Sequence, residues 1–349
     1  MATVTLAGCG TPAVPAASPT PSGTVTQPPL AADLAGGVAI SLGGEGHWAV
    51  RGDRAFLAGP EGLRAIDLAS GSTAWEASFP AGQQPWDADP TVAVSADGAI
   101  VHALRTVEAG AAGALELLSV DSSDGTVTGS RVVSDPSGTW QVDLPPRILA
   151  ADDASLVLAD NPESGYQVGA VALPAAEFLW AADDQGFAAD ATVITRSGAR
   201  DRRTGAQLWQ APFALGPLVV ATDAAVVAGD GAGRVVWLDA GTGTKRAAVE
   251  ADPESCAAAA TVVVCLADGA AGYDLASGEP LWSRVEASEA VTTYRDWSYL
   301  WRSETAGDVL DARTGKVIVR DSELPRIRLS TEAGVLVDRA DGSVWVAIN

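Results

Sequence analysis

The stretch Gly272-Tyr-Asp-Leu-Ala-Ser-Gly-Glu-Pro-Leu-Trp282 decides the fold of this chain. It has the pattern of a strand that ends at Asp274, a tight turn closed by Gly278, and a returning strand that carries Trp282. An Asp side chain accepts hydrogen bonds from backbone N–H groups within a turn, and Gly supplies the positive φ that a tight turn needs. The stretch therefore predicts a hairpin between two β-strands.

The same frame, with Asp at one position, Gly four residues later and Trp four residues after that, recurs along most of the chain. The complete copies besides the first are Asp67, Gly71 and Trp75, and Asp201, Gly205 and Trp209. The copies that keep the turn but lack the Trp are Asp121, Gly125 and Gly129; Asp239, Gly243 and Ala247; and Asp311, Gly315 and Val319; a degenerate copy has Ala172, Ala176 and Trp180. Because one large aromatic side chain recurs at one register, we interpret the Trp as structural, wedged between neighbouring sheets.

Short apolar runs precede the turns, such as Thr261–Leu266, and no helical period is present. Repeating units near forty residues that contain only strands are typical of propeller blades. The sequence predicts an all-β fold, an eight-bladed β-propeller of four-stranded antiparallel blades. A strand within 35–43 and three strands within 326–348 complete the eighth blade and close the ring. Seven blades are the alternative, because the 29 residues between Ala172 and Asp201 leave little room for four strands.

The turns at 67–75, 201–209 and 274–282 resemble those of the bacterial quinoprotein-like propellers, which carry PQQ-like, tryptophan-docking repeats. The resemblance covers roughly residues 32–349. It implies the fold, and it implies one of two functions, since this repeat serves non-catalytic assembly lipoproteins and quinone-dependent dehydrogenases. The dehydrogenases use a vicinal Cys pair and calcium-ligating acids. No Cys-Cys pair occurs in this chain, so we expect no catalytic residue, no metal and no cofactor.

The charge balance excludes two classes of partner. The chain has 22 Lys and Arg against 44 Asp and Glu, a net charge of −22, whereas nucleic-acid binding requires a basic face. The same balance argues against docking on anionic lipid through a polybasic patch. The two histidines, His47 and His102, have no metal-binding spacing. No apolar run approaches the eighteen or so residues of a membrane helix.

The N-terminal sequence predicts a lipid anchor. Leu6-Ala-Gly-Cys9 has the pattern of a bacterial lipobox, in which the Cys is lipidated and becomes the mature N-terminus. We interpret residues 1–9 as the remnant of a signal peptide that starts upstream of Met1; the alternative is a chance Cys. Residues 10–34 are a Pro/Ser/Thr-rich linker, and residues 35–349 form the propeller.

Two further groups are candidates for special roles. Cys256 and Cys265 flank the hairpin sequence Ala257–Val264, which predicts that they lie opposite each other and form a disulfide in an oxidising compartment; the alternative is two buried free thiols. Trp297, Tyr299 and Trp301 alternate, so they share one face of a strand. If that face is exposed, it is a candidate binding patch. If it is buried, it packs between blades.

Two irregular units contain predicted loop insertions, Glu108–Gly113 and Asn161–Gly165. Loops on a rigid scaffold often carry recognition, although an insertion can also have no role. We therefore expect a monomeric, lipid-anchored extracytoplasmic propeller of the cell envelope that acts as a non-catalytic protein-binding scaffold or sensor. The alternative is a quinone-dependent oxidoreductase or a small-ligand-binding propeller, which the absorbance of the protein after addition of quinone and calcium distinguishes.

Overall fold

The computed structural model describes residues 38–39, 48–80, 90–109, 112–138, 140, 142, 146–160, 165–189, 192–285, 288–303, 306–323, 326–331, 334–339 and 342–347. Nearly all of the regular structure in these ranges is β-strand, with one 3₁₀ turn at Pro253–Ser255. Within them, no helix has the length and apolar character to cross a membrane. The lipobox and linker, including Cys9, lie outside the described residues, as do positions 161–164 of the second predicted insertion.

The strands follow one another as antiparallel hairpins, and we number them in chain order. The first is β1 (Val38–Ala39), followed in blade 1 by β2 (Trp48–Arg51), β3 (Arg54–Gly59), β4 (Gly62–Asp67) and β5 (Thr73–Ser78). Blade 2 contains β6 (Thr91–Val94), β7 (Ile100–Ala109), β8 (Ala112–Asp121) and β9 (Val127–Val132). Blade 3 contains β10 (Arg147–Ala151), β11 (Ser155–Asp160), β12 (Gln167–Ala172) and β13 (Glu177–Ala182).

The later blades are more uniform in length. Blade 4 contains β14 (Gly186–Ala189), β15 (Thr192–Thr195), β16 (Gly198–Asp201) and β17 (Gln207–Gln210), and blade 5 contains β18 (Leu218–Ala221), β19 (Ala225–Gly229), β20 (Arg234–Asp239) and β21 (Lys245–Glu250). Blade 6 contains β22 (Cys256–Ala258), β23 (Val262–Leu266), β24 (Ala270–Asp274) and β25 (Pro280–Arg284), and blade 7 contains β26 (Ala290–Tyr294), β27 (Trp297–Trp301), β28 (Ala306–Asp311) and β29 (Val317–Glu323). The last strands are β30 (Arg326–Thr331), β31 (Gly334–Arg339) and β32 (Gly342–Ala347).

Seven blades are thus built from four consecutive strands each, and the two ends of the described chain supply one more sheet. Its strand order is β1-β32-β31-β30, and we name it the closing sheet. Val38 lies opposite Trp345 and Ala39 opposite Val344, so the predicted pairing of the N-terminal and C-terminal strands is confirmed. The prediction of eight blades needs this qualification: seven blades are continuous segments, and the number eight is reached only by counting the closing sheet.

Blade 4 shows how four strands fit the short spacing between Ala172 and Asp201. All four of its strands are four residues long, and the hairpin between β15 and β16 has only Arg196 and Ser197 in its turn. The objection that supported the seven-blade alternative therefore disappears, because short strands and tight turns accommodate the short repeat.

Each Asp–Gly turn is closed by the side chain of its Asp. Oδ1 of Asp67 accepts hydrogen bonds from N and Oγ of Ser70, both within 2.8 Å, and N of Gly71 donates to O of Asp67 at 2.8 Å. The hydrogen bond from the Ser70 hydroxyl, and then that from the Ser70 amide, lower the pKa of Asp67. The turn therefore favours the charged carboxylate. Gly71 has φ +70°, a left-handed conformation that suits Gly.

The Trp of one blade packs on the turn of the next blade. The indole Nε1 donates to the carbonyl of the residue that directly follows the first position of the next frame: Trp75 to Ser122 at 3.0 Å, Trp180 to Arg202 at 2.8 Å, Trp209 to Ala240 at 2.8 Å and Trp282 to Ala312 at 2.8 Å. The ring lies directly against the turn Gly. A Cβ added at Gly125, Gly205, Gly243 or Gly315 would lie 2.4–2.8 Å from a ring atom of that Trp.

Blade 5 fills the same position from a different strand. Its outer strand carries Ala247, but Trp237, directly opposite on β20, is fully buried and reaches the turn of blade 6. A Cβ added at Gly278 would lie 2.5 Å from Ala247 Cβ and 3.0 Å from Trp237 Cδ2. An incomplete frame in the sequence is therefore not always an empty position in the structure.

We expect Gly243→Ala to destabilise the fold strongly. Gly243 has φ +69°, and an added Cβ would overlap the Trp209 ring at 2.4 Å. A left-handed non-Gly residue costs about 1–2 kcal/mol, and overpacking a tight contact adds about 1–3 kcal/mol. The free energy of unfolding from urea titration should therefore fall by about 2–5 kcal/mol.

Gly129→Ala is the matched control for this prediction. It changes the same residue type on β9, outside the left-handed region, where a Cβ would meet nothing within 4 Å. Its free energy of unfolding should stay the same or rise by up to about 1 kcal/mol, since Ala restricts the unfolded chain. Equal losses in the two variants would show that the Trp–Gly contact is not what stabilises the turn.

Candidate functional site

The two ends of the ring differ in the loops they carry. Because the strands of a blade alternate in direction, the hairpin between second and third strands lies at the same end as the connection to the next blade. The Asp–Gly turns lie at the opposite end. We name the end with the hairpins between second and third strands the variable end, because the strands of those hairpins range from four to ten residues.

The most distinct feature of the variable end is the hairpin of β7 and β8. Both strands have ten residues, whereas the second and third strands of the other blades have four to six. Glu108 pairs with Gly113 and Ala109 with Ala112. The prediction of a loop insertion at Glu108–Gly113 is therefore wrong: the insertion lengthens two paired strands, because a hydrogen-bonded ladder satisfies backbone groups that a loop would leave to water.

A buried ion pair holds the base of this long hairpin. Arg105 Nε donates to Glu116 Oε2 at 2.8 Å, and both side chains are only 5% exposed. Arg105 Nη1 also donates to the carbonyl of Pro60 in blade 1 at 3.0 Å, and its guanidinium lies 4.1 Å from the centre of the Phe79 ring. Arg105 links blade 2 to blade 1 through its contacts with Pro60 and Phe79. Glu116 supplies the counter-charge, since a buried charge is costly without its partner.

A groove in blade 1 lies next to this base. It has a volume of about 350 Å³ and is lined by the β3–β4 hairpin with Pro60 and Glu61, and by Arg64 and Glu76 on the neighbouring strands. We name residues 57–64, 76–79, 105–109 and 112–116 the hairpin face. This surface joins a long hairpin to a concave groove that carries charges of both signs, a combination suited to contact with another protein.

The predicted aromatic patch is not at the surface. Trp297 is 8% exposed, Tyr299 is fully buried and Trp301 is 7% exposed. Leu300, between them, is buried in a cluster with Val264 of blade 6, so the three aromatic residues lie on the opposite face of β27. The interpretation as an exposed binding patch is wrong, because that face of the strand is covered.

The structure joins Cys256 and Cys265 in a disulfide with a Cα–Cα distance of 4.1 Å. They are directly opposite residues on β22 and β23. The Ala259 amide donates to the Val262 carbonyl at 2.8 Å, and alternation from that pair makes Cys256 and Cys265 a non-hydrogen-bonded pair, where side chains lie closest. Short sequence separation and register together bring the two sulfur atoms within bonding distance.

The carboxylates are largely engaged within the turns. The described residues contain no group of three or more His, Cys, Asp or Glu placed to hold a metal ion. Asp121 accepts from N and Oγ of Ser123, at 2.8 and 2.6 Å, and Asp124 accepts from N of Thr126 at 2.8 Å. The Ser123 hydroxyl, and then its amide, lower the pKa of Asp121. Their role in the structure is to close the turn.

Sequence reasoning missed the Arg105–Glu116 pair and the length of its hairpin. A signal was present: residues 100–109 contain neither Gly nor Pro, and apolar residues alternate at Val101, Ala103 and Val107. The Gly residues at 110 and 113 are typical of a loop and led to the prediction of one. The partner of a charged residue inside a strand depends on register, which the sequence alone did not provide.

Comparison with known proteins supports the same architecture. Residues 189–346 match the PQQ_2 family, described as outer membrane protein assembly factor BamB. A comparison with curated proteins finds no match. The resemblance to the quinoprotein-like repeat propellers, of the type represented by BamB, is thereby confirmed.

Solved structures with the same fold are natural and designed. The crystal structure of BamB from Moraxella catarrhalis has a TM-score of 0.58 at 17% identity and covers 89% of this chain and 96% of that chain. The computationally designed Ika8 protein has a TM-score of 0.56 at 16% identity, covering 89% and 99%. The C-terminal WD40 domain of Sif2 has a TM-score of 0.53 at 11% identity, covering 85% and 93%. At these identities the likeness shows the fold alone.

We predict that Cys256 and Cys265 are oxidised in protein recovered from an oxidising compartment. Thiol counting on denatured, unreduced protein should find neither of them reactive. Cys256→Ala serves as the control, because it should expose one new reactive thiol at Cys265. Reduction should lower the free energy of unfolding by about 2–3 kcal/mol, the chain-entropy value for a loop this short. Two reactive thiols in the unreduced wild type would contradict the prediction.

Proposed function

We propose that this chain is a non-catalytic protein-binding scaffold outside the cytoplasm and that the hairpin face contacts its partner. The observation that carries the proposal is the long β7–β8 hairpin, fixed at its base by Arg105 and Glu116 beside the groove of blade 1. A hydrogen-bonded hairpin loses less conformational entropy on binding than an unstructured loop, so a scaffold gains affinity from it. The match to an assembly-factor family supports a partner that is itself a protein.

The disulfide and the N-terminal sequence support the location. Disulfides persist in oxidising compartments and are rare in the cytosol, and Cys256 and Cys265 are joined. The lipobox pattern ending at Cys9 and the Pro-rich linker to residue 34 fit a body tethered to a membrane surface. By analogy with BamB, an outer membrane protein assembly factor, the partner is a protein of the cell envelope.

Site-specific photo-crosslinking tests the contact surface. A photoreactive residue is placed at Glu108, which is exposed on the hairpin, or at Asp124, which is exposed in the turn at the opposite end of the same blade. In intact native envelopes, we expect a discrete crosslinked product from position 108 and none from position 124. Crosslinking only from position 124, or from neither, would contradict the hairpin face as the contact surface.

A shortened hairpin provides a second readout. Replacing residues 108–113 with Asn-Gly joins Val107 to Ala114 through a two-residue turn and keeps the buried Arg105–Glu116 pair. We expect this variant to retain its unfolding transition but to lose co-purification of the partner that position 108 crosslinks. Retention of that partner at wild-type yield would rule out a role for the projection.

The anchor is tested separately from the partner. When the chain is expressed with a complete upstream signal, we expect mass spectrometry of the mature protein to show an N-terminal diacyl-modified Cys9. Cys9→Ala should be released into the aqueous fraction. A wild-type protein that remains in the aqueous fraction with residues 1–8 attached would disprove lipidation without affecting the proposed contact surface.

A further inference from the structure

One row of residues between blades lacks the large apolar side chain that the corresponding rows of the other described blades have, although the rest of that interface is packed with apolar residues. In each blade, three directly opposite residues on the second, third and fourth strands face the next blade, and we name them the slot row. In blade 2 the slot row is His102, Ser119 and Gly129. Its members are polar or lack a side chain, so this row cannot fill the space as an apolar row does.

The other six rows each contain at least one large apolar side chain. They are Phe56, Ala65 and Trp75 in blade 1; Val157, Ala170 and Trp180 in blade 3; Ile194, Ala199 and Trp209 in blade 4; Val227, Trp237 and Ala247 in blade 5; Val264, Gly272 and Trp282 in blade 6; and Tyr299, Val309 and Val319 in blade 7. Blade 5 replaces the missing outer Trp from its middle strand; blade 2 does not.

The result is a cavity of about 380 Å³ between blades 2 and 3. Its walls include His102, Leu117, Ser119 and Gly129 from blade 2, and Leu173 and Pro174 from the facing turn. A Cβ added at Gly129 would meet nothing within 4 Å. The volume lies within the range of small-ligand sites, which combine apolar walls with a few polar groups.

The facing turn has changed together with the row. Where the other frames have Gly, blade 3 has Ala176, with φ +56° and 1% exposure. In the interfaces that contain a Trp, a Cβ at this position would overlap the indole. The outer strand of blade 2 supplies no Trp over Ala176, which instead packs in a buried cluster with Trp140. The Trp of the outer strand and the Gly of the facing turn are therefore both absent at this interface.

A buried nitrogen marks the polar side of the cavity. His102 is 3% exposed and its Nδ1 lies 3.0 Å from Ser119 Oγ, while its Nε2 has no hydrogen-bond partner in the part of the chain that the structure describes. Burial lowers the pKa of His102 to about 4, against the nearby charges of Asp152 and Asp97, so the imidazole is neutral at pH 7. A buried nitrogen without a partner is costly, and a bound group with an N–H can offset that cost.

We propose that this cavity binds an indole-type group, a planar aromatic ring with one N–H. Four interfaces of this ring already hold an indole whose N–H donates to the carbonyl after the first frame position. The corresponding residue here, Leu173, lines the cavity. Because Ala176 occupies the Gly position, the bound ring lies nearer His102 and Leu117, and its single N–H donates to His102 Nε2 instead of the Leu173 carbonyl.

The two sources of such a group are a free indole compound and a Trp side chain of another protein. The probes are therefore indole and N-acetyltryptophanamide, added separately to the full chain. The readout is the ¹³C-labelled histidine spectrum together with calorimetry, and it is simple because the chain has only two histidines. We expect saturable binding with one site per chain and a shift of the His102 signals, while those of His47 report non-specific effects.

Two variants fill the cavity in different ways. Gly129→Trp supplies the missing indole from the outer strand, and Ser119→Trp supplies it from the middle strand, as Trp237 does in blade 5. Leu208→Trp is the control, because Leu208 is 50% exposed on the outer strand of blade 4. We expect each filled variant to bind the probes at least tenfold more weakly and the control to bind like the wild type.

The outcomes separate as follows. Binding of indole alone supports a free compound as the source, and binding of N-acetyltryptophanamide supports a Trp side chain. No binding of either probe at millimolar concentration, equal shifts of both histidines, or unchanged affinity in a filled variant that retains its unfolding transition would overturn the site. The result is independent of the hairpin face, since the cavity variants leave the Glu108 crosslinking position unchanged.

Discussion

The contact of an indole from one blade with the turn glycine of the next blade is the interaction on which the ring depends. Each sheet is only four strands wide, and its outer strand is paired in the sheet on one side only. The indole contributes apolar burial and a hydrogen bond to a backbone carbonyl at once, as Trp282 does to Ala312 at 2.8 Å. This pairing fixes both the spacing and the register of neighbouring blades, because a residue larger than Gly at Gly315 would collide with the ring.

The sequence predicted this architecture because the Asp and the Gly act within one turn and the Trp follows at a fixed position, eight residues after the Asp. Their local chemistry identifies the hairpin without knowledge of distant contacts. Residues whose role depends on another blade were harder to place. The alternation of Trp297, Tyr299 and Trp301 specified a shared face but not its burial. The missing Trp at Ala247 gave no sign that Trp237, one strand inward, fills the same space.

The largest departures from the repeat lie in blades 2 and 3. Blade 2 combines the longest hairpin with the polar slot row, and the two features lie in different parts of the same sheet. The hairpin extends beyond the ring at one end, whereas the slot row lies between blades. Six of the seven continuous blades have a large apolar residue in that row. The ring therefore accommodates one row that is packed differently. The irregular features therefore rest on a regular frame that supplies the stability.

The closing sheet has a mechanical consequence for a tethered ring. The N-terminal segment enters the ring through β1, a strand of only two residues that pairs with Trp345 and Val344. A pulling force applied through that segment acts first on those few backbone pairs, whereas each continuous blade is loaded only after they separate. The pairing between β1 and β32 is thus weaker than the four-stranded sheets of the continuous blades, and the force reaches it first. Under load, the ring opens at a defined seam while the Trp–Gly contacts between the blades remain intact.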